Sequence, residues 1–315
     1  MPPIDPVRPL PRRYQLPKFS FRVDDLAHEG SHLFFDHVNG SPIDVLVESV
    51  NRVIDALYPP PPPPTSTPSS SSSSSPSSVR SPPRDFARDI PEIKHVTLVL
   101  ESMEGGVAYT CGSSHLKEVH LSLSYLVQVY HRSVRPSPPS SSSSSSTALN
   151  CATPTVRPLS ERLRREISGV LTHELVHAFQ WNGHSTVPGG VIEGVADWVR
   201  AQDRELRPPH WKDGKPRDGD RWDVGYQTTG FFLAWLSGTL ASPTLVPLLN
   251  SSLRTEEWDD GRLLKELLGG QDVEALWDVY KEGFNGRAET DDDDQKPPEP
   301  VPTHRVQGGY EPRYV

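Results

Sequence analysis

Residues 160–183, "SERLRREISGVLTHELVHAFQWNG", carry His173 and His177 four positions apart, with Glu174 beside the first. In a helix, histidines at i and i+4 project from one face about one turn apart and can bind the same ion. The glutamate between them then lies beside a water on that ion, close enough to take its proton. Ser160 is placed to cap the helix, Glu161 favours its N-terminal dipole, and Asn182-Gly183 ends it. From Val170 onward apolar residues surround nearly the whole circumference, the pattern of a buried helix. Titratable groups on a buried helix need partners, and a metal ion is a natural one.

The stretch that follows, "PGGVIEGVADWVRAQ" (188–202), starts a new helix after a Pro-Gly-Gly turn and places Glu193 and Asp197 at i and i+4. Glu193 can complete a His-His-Glu zinc site that leaves a fourth position to water, the open arrangement of a catalytic zinc. Asp197 is placed to accept the free ring N–H of a ligand histidine, with His173 the nearer choice. His184 is a weaker third ligand. The three-histidine pattern HExxHxxGxxH requires histidine at 183 and glycine at 180, whereas this chain has Gly183 and Gln180.

A second His-Glu-x-x-His run, "HEGSH", occupies 28–32. Gly30 and Ser31 fill its middle, and a glycine inside a helix costs up to about 1 kcal/mol relative to alanine. Its helix must end before "NGSP" at 39–42, and Arg52 stands where a second carboxylate would follow Glu48. His28, Glu29 and His32 therefore read as ordinary surface or partly packed residues.

The chain has 315 residues and a net charge of −9 with no basic run, which argues against nucleic acid as a partner. Residues 59–84 and 134–155 hold runs of proline and serine with little to bury, so both are expected as disordered insertions. Residues 1–17 and the acidic, proline-rich tail 286–315 are expected to be disordered as well. What remains, roughly 220 residues within 18–285, suits one domain interrupted twice. No stretch approaches a membrane span, and the start lacks the apolar run of a secretory signal, so a cytoplasmic protein is expected, with unconventional secretion as the alternative. Cys111 and Cys151 read as reduced thiols.

Alternating apolar positions predict strands over "FSFRVDD" (19–25) and "HVTLVLES" (95–102). The glycine pair before "VAYT" suggests a hairpin with the latter strand, and "EVHLSLSYL" (118–126) reads as a strand leading into a short helix. "EVHLS" is expected to be an edge strand beside the cleft, where an extended peptide could add. His120 within it reads as a strand residue, not a ligand. Helices are predicted over about 42–58, 160–181, 191–204, 223–238, 243–253, 261–268 and 271–284. Strands first and helices later give an α+β fold, a small N-terminal mixed sheet followed by a mainly helical half. An oxyanion would need a donor besides the metal, and Tyr226 is the first candidate, His210 the second.

At "REISGVLTHELVHAFQWNG" and "PGGVIEGVADWVR" the sequence resembles the plant basic secretory protein family, metallopeptidases of plants and microbes. The resemblance extends to "FRVDD", "VTLVLESMEGGVAYT", "EVHLSLSYL", "HWKDGKPRDGDRWDVGYQTTGFFLAWL" (210–236) and "LLKELLGGQDVEALWDVYK" (263–281). It implies a zincin-like fold, zinc dependence and proteolysis, with His173 and His177 as ligands, Glu174 as general base, and Glu193 with Asp197 as the acidic pair of the next helix. The expected function is zinc-dependent hydrolysis of peptide bonds in a peptide or protein substrate. Two alternatives stand beside it: a weak or inactive peptide- or glycan-binding protein, and a zinc hydrolase of another amide or ester. Nothing in the chain specifies an oligomer, and a monomer is expected.

Overall fold

A computed structural model describes residues 14–38, 41–61, 84–134, 159–208, 211, 214–217, 219–240 and 242–285. The expected disordered segments 1–17, 59–84, 134–155 and 286–315 lie wholly or largely outside these, as do Cys151 and His210. Two edges of those segments are nonetheless packed. Tyr14 and Leu16 lie against the core, with the Tyr14 hydroxyl bonded to Asn51. Arg84 pairs with Asp89 at 3.2 Å.

The fold is α+β, with a small mixed sheet and mostly helices around it. Four strands, β1 (Lys18–Val23), β2 (His95–Glu101), β3 (Ala108–Gly112) and β4 (Leu116–Ser122), stand in the order β1-β2-β4-β3. β1, β2 and β4 are parallel, and β3 runs antiparallel to β4. Two sequence expectations fail here. The glycine pair at 105–106 does not close a hairpin between β2 and β3, because β4 inserts between them. The tight turn lies instead between β3 and β4, where Ser113 N donates to Leu116 O at 2.8 Å. A glycine pair lets a chain reverse direction but does not say which strand fills the adjacent slot. In consequence 118–122 is an interior strand, and the edge strand beside α4 is β3. Alternation in sequence reports which faces are buried, not which edge is paired.

One sheet face carries Phe21, Leu98, Leu100, Val119 and Leu121 toward the helices; the other carries Ser20, Thr97, Glu118 and His120. On the helical side, α1 (Glu29–His37) stacks Phe34 on Phe21 at 5.6 Å between ring centroids. α2 (Pro42–Leu57) begins with a capping box between Ser41 and Asp44 and buries the stripe Val45, Leu46, Val50, Val53, Ile54 and Leu57. α3 (Leu123–Val134) follows β4 directly.

The helical half opens with α4 (Leu159–Phe179), so Ser160 lies inside its first turn instead of capping it. α4 is buried along most of its length, and the Tyr58 hydroxyl at the end of α2 donates to Phe179 O at 2.6 Å. α5 (Gly189–Gln202) lies beside α4 and against α6 (Tyr226–Thr239). α7 (Leu245–Ser252), α8 (Arg262–Leu267) and α9 (Val273–Asn285) close the domain around Phe232, Trp277 and Tyr280. Among the described residues no helix is long and apolar enough to cross a membrane.

Helices α5 and α6 approach closely because Gly194 has no side chain. A Cβ there would fall inside Thr229, whose buried hydroxyl accepts from Gly225 N at 2.8 Å and donates to Trp222 O at 2.6 Å. Thr229 is thereby held in place and cannot swing aside. Gly194→Ala should cost about 1–3 kcal/mol of stability through overpacking, read as a lowered denaturation midpoint. An unchanged midpoint would mean that the two helices can part without penalty.

Candidate metal centre

Three contacts between α4 and α5 show how the helices are matched. Glu166 Oε1 meets Arg200 Nη2 at 3.0 Å, His173 Nδ1 meets Asp197 Oδ1 at 2.7 Å, and His173 Nε2 meets Glu193 Oε2 at 3.0 Å. Numbers rise along α4 as they fall along α5, so the helices run antiparallel. The buried Glu166–Arg200 pair is reinforced by the Tyr125 hydroxyl at 2.7 Å and by Arg200 Nε donating to Leu206 O at 2.8 Å. Two turns farther along each helix, the same alignment brings His173 and Glu193 together.

His177 joins them, with Nε2 3.6 Å from Glu193 Oε2 and its ring edge-on to that of His173 at 4.9 Å. One donor atom from each of His173, His177 and Glu193 lies within 4.8 Å of the others. Two donors each about 2.1 Å from a tetrahedral ion stand about 3.4 Å apart, and the 3.0 and 3.6 Å separations bracket that value. These three residues could therefore hold one divalent ion with little movement. Asp197 takes the Nδ1 side of His173, which leaves Nε2 to face Glu193, as the helix spacing predicts.

Electrostatics reinforces the arrangement. Burial alone would discharge His173, but the carboxylates of Asp197, Glu193 and Glu174 outweigh it and push its pKa up to about 10. Burial likewise opposes the charge on Glu193, yet its bonds to His173 and His177 hold its carboxyl well below the usual carboxylate range. A proton on His173 and a divalent cation are thus alternative ways to neutralise the same acidic cluster.

Tyr226 opens α6 with φ 47, an uncommon left-handed backbone for a non-glycine residue. Its ring lies parallel to His173, with centroids 6.2 Å apart. Burial, then Glu193, Asp197 and Glu174, push its hydroxyl up to about 12, so it stays protonated and able to donate near neutral pH. His184 is exposed, with φ 55, in the turn after α4.

Two contacts were not anticipated. Thr110, on the edge strand β3, places its hydroxyl 2.9 Å from Glu174 Oε2 and 2.8 Å from Glu174 O. No local pattern links positions 64 residues apart, so only the fold reveals this one. Gln180 lies one turn after His177, with its side-chain amide 2.7 Å from His177 Nδ1. A half-turn of the amide, which gives up its long 3.4 Å contact to Ile192 O, would present its oxygen to Nδ1–H and leave Nε2 free as a donor to a metal. The i+3 spacing was a legible signal for that partner.

The other His-Glu-x-x-His copy is not assembled. His28 is the N-cap of α1, its Nδ1 accepting from Gly30 N at 3.0 Å, and His32 is exposed. Gly30 abuts the Leu123 carbonyl where α1 meets α3, which accounts for glycine in the middle of the run.

A family model described as BSP, peptidase of plants and bacteria, matches residues 16–137 and 144–280. No curated protein and no solved structure matches the chain.

Removing the Thr110 hydroxyl should leave a buried carboxylate short of a partner. Thr110→Val is expected to cost about 1.5–3 kcal/mol, the range for hydrogen bonds to charged groups, measured by denaturant unfolding. A loss no larger than that of a surface substitution would show that Glu174 does not depend on β3.

Proposed function

The chain belongs to the BSP family, peptidases of plants and bacteria, and on that premise we propose that it is a zinc-dependent peptidase of zincin-like fold. The observation that carries this reading is the convergence of His173, His177 and Glu193 from two antiparallel helices. Two imidazoles and a carboxylate form a donor set suited to zinc, with a position left for water or substrate. Zinc bound there supplies Lewis acidity, acidifying a water and polarising a carbonyl.

The chain's own residues supply the rest. Glu174 accepts a proton from the attacking water and passes it to the departing amine. With Thr110 on Oε2, Oε1 is the atom that carries the proton. The Tyr226 hydroxyl donates to the oxygen on which negative charge develops. Asp197 and Gln180 set the tautomers of His173 and His177. β3 stands at the edge of the described sheet with Thr110 on Glu174, so an extended peptide can lie along it as an added strand. This edge takes the place first assigned to 118–122.

The proposal makes Glu174 separable from metal binding. Glu174→Gln should retain zinc, measured as metal content of the purified protein, while hydrolysis of a peptide library falls by about a hundredfold or more. Equal activity in both proteins would remove Glu174 as the base. Retained zinc with no peptide hydrolysis by the wild type would point to a binding protein or to another amide or ester substrate.

Asp197 acts one step removed. Asp197→Asn is expected to weaken zinc binding by about ten- to a hundredfold, read by competition with a chromogenic chelator. Unaltered affinity would mean that the orientation of His173 is secured without it.

A further inference from the structure

The face of the sheet turned away from α4 carries a second convergence of metal-binding side chains. Antiparallel pairing sets Cys111 opposite Glu118 and Tyr109 opposite His120, while Thr110 between them faces α4. A sulfur from Cys111, a carboxylate oxygen from Glu118 and a ring nitrogen of His120 all lie within 4.8 Å of one another.

His120 is held as a metal-binding histidine needs to be. It is 5% exposed. Glu101 Oε1 stands 3.0 Å from Nδ1, and Glu118 Oε2 stands 3.2 Å from Nε2. Tyr109 stacks on the imidazole with centroids 4.3 Å apart and donates its hydroxyl to the same Glu101 oxygen at 3.0 Å. With Nδ1–H given to Glu101, the Nε2 lone pair faces the Glu118 carboxylate, acceptor against acceptor. Two acceptors 3.2 Å apart need either a proton or a cation between them. The Cys111 thiol at the same point gives a cation a third ligand, which a proton would not use.

We propose that Cys111, Glu118 and His120 form a second binding site for a zinc-class divalent ion, with Glu101 orienting His120 from behind. Thiolate, imidazole and carboxylate together favour zinc over magnesium or calcium. Cys111 binds as thiolate and its proton passes to solvent. The ion would clamp β3 to β4 next to Thr110, bracing the edge strand from the outside. The site shares no ligand with the His173, His177 and Glu193 cluster and does not depend on the peptidase reading.

Cobalt(II) separates the two, because only this one has a sulfur ligand. Cobalt titrated into the full-length, metal-stripped chain should produce a near-ultraviolet thiolate-to-cobalt absorption. Cys111→Ser should abolish that band, and Cys151→Ser, at the chain's other cysteine, should leave it. Glu101→Gln should weaken the cobalt affinity read from the band by about ten- to a hundredfold. The proposal fails if cobalt produces no sulfur band in the wild type, if the band survives Cys111→Ser, or if His120→Ala binds with unchanged affinity. Loss of His173 would remove the first cluster yet leave the band, so the two readings fail separately.

Discussion

The antiparallel contact between α4 and α5 is the constraint on which the candidate centre depends. Two matched points set it: the buried Glu166–Arg200 pair and, two turns on, His173 between Asp197 and Glu193. A helix rotates each residue by about 100°, so seven residues return nearly to the same face. Fixing one pair in register therefore presents the other. A slip of one residue along either helix would turn Glu193 away from both histidines while leaving each helix intact.

Burial makes the constraint specific. Charged groups taken out of water cost several kcal/mol each unless their partners meet them with good geometry. Every titratable group on the buried half of α4 has such a partner: Asp197 and Glu193 for His173, Gln180 and Glu193 for His177, Thr110 for Glu174. These partners come from Gln180 just past the end of α4, from α5 and from the edge of the sheet, so the polar cluster is a point where three parts of the fold must agree. Tyr226 adds a fourth, from the first residue of α6.

The sheet contributes through an edge that is short and two-sided. β3 offers Thr110 to Glu174 on one side and Cys111 to Glu118 and His120 on the other, with Tyr109 stacked on His120. Among the described strands β3 pairs only with β4, and a sheet edge of this kind calls for protection or use.

Local sequence was enough for most of what depends on helical periodicity, though not for α1 or for the length of α3. His173 with His177 and Glu193 with Asp197 are pairs at i and i+4, whose coincidence on one face follows from 3.6 residues per turn whatever surrounds them. The boundaries of α2 and the run of helices after Ser160 were legible for the same reason; the poor helical context read for His28 to His32 was not, since Glu29 to His32 lie in α1 and the motif fails to assemble there because His28 is the N-cap. Relations across the chain were not legible. That β4 slips between β2 and β3, making β3 the edge, is decided by strand pairing, which leaves no trace in the alternation of either segment. Thr110 on Glu174, Glu166 on Arg200, and His120 between Glu101 and Glu118 follow from that pairing and from the register of α4 on α5. Periodicity told which faces the side chains occupy; only packing told which faces meet.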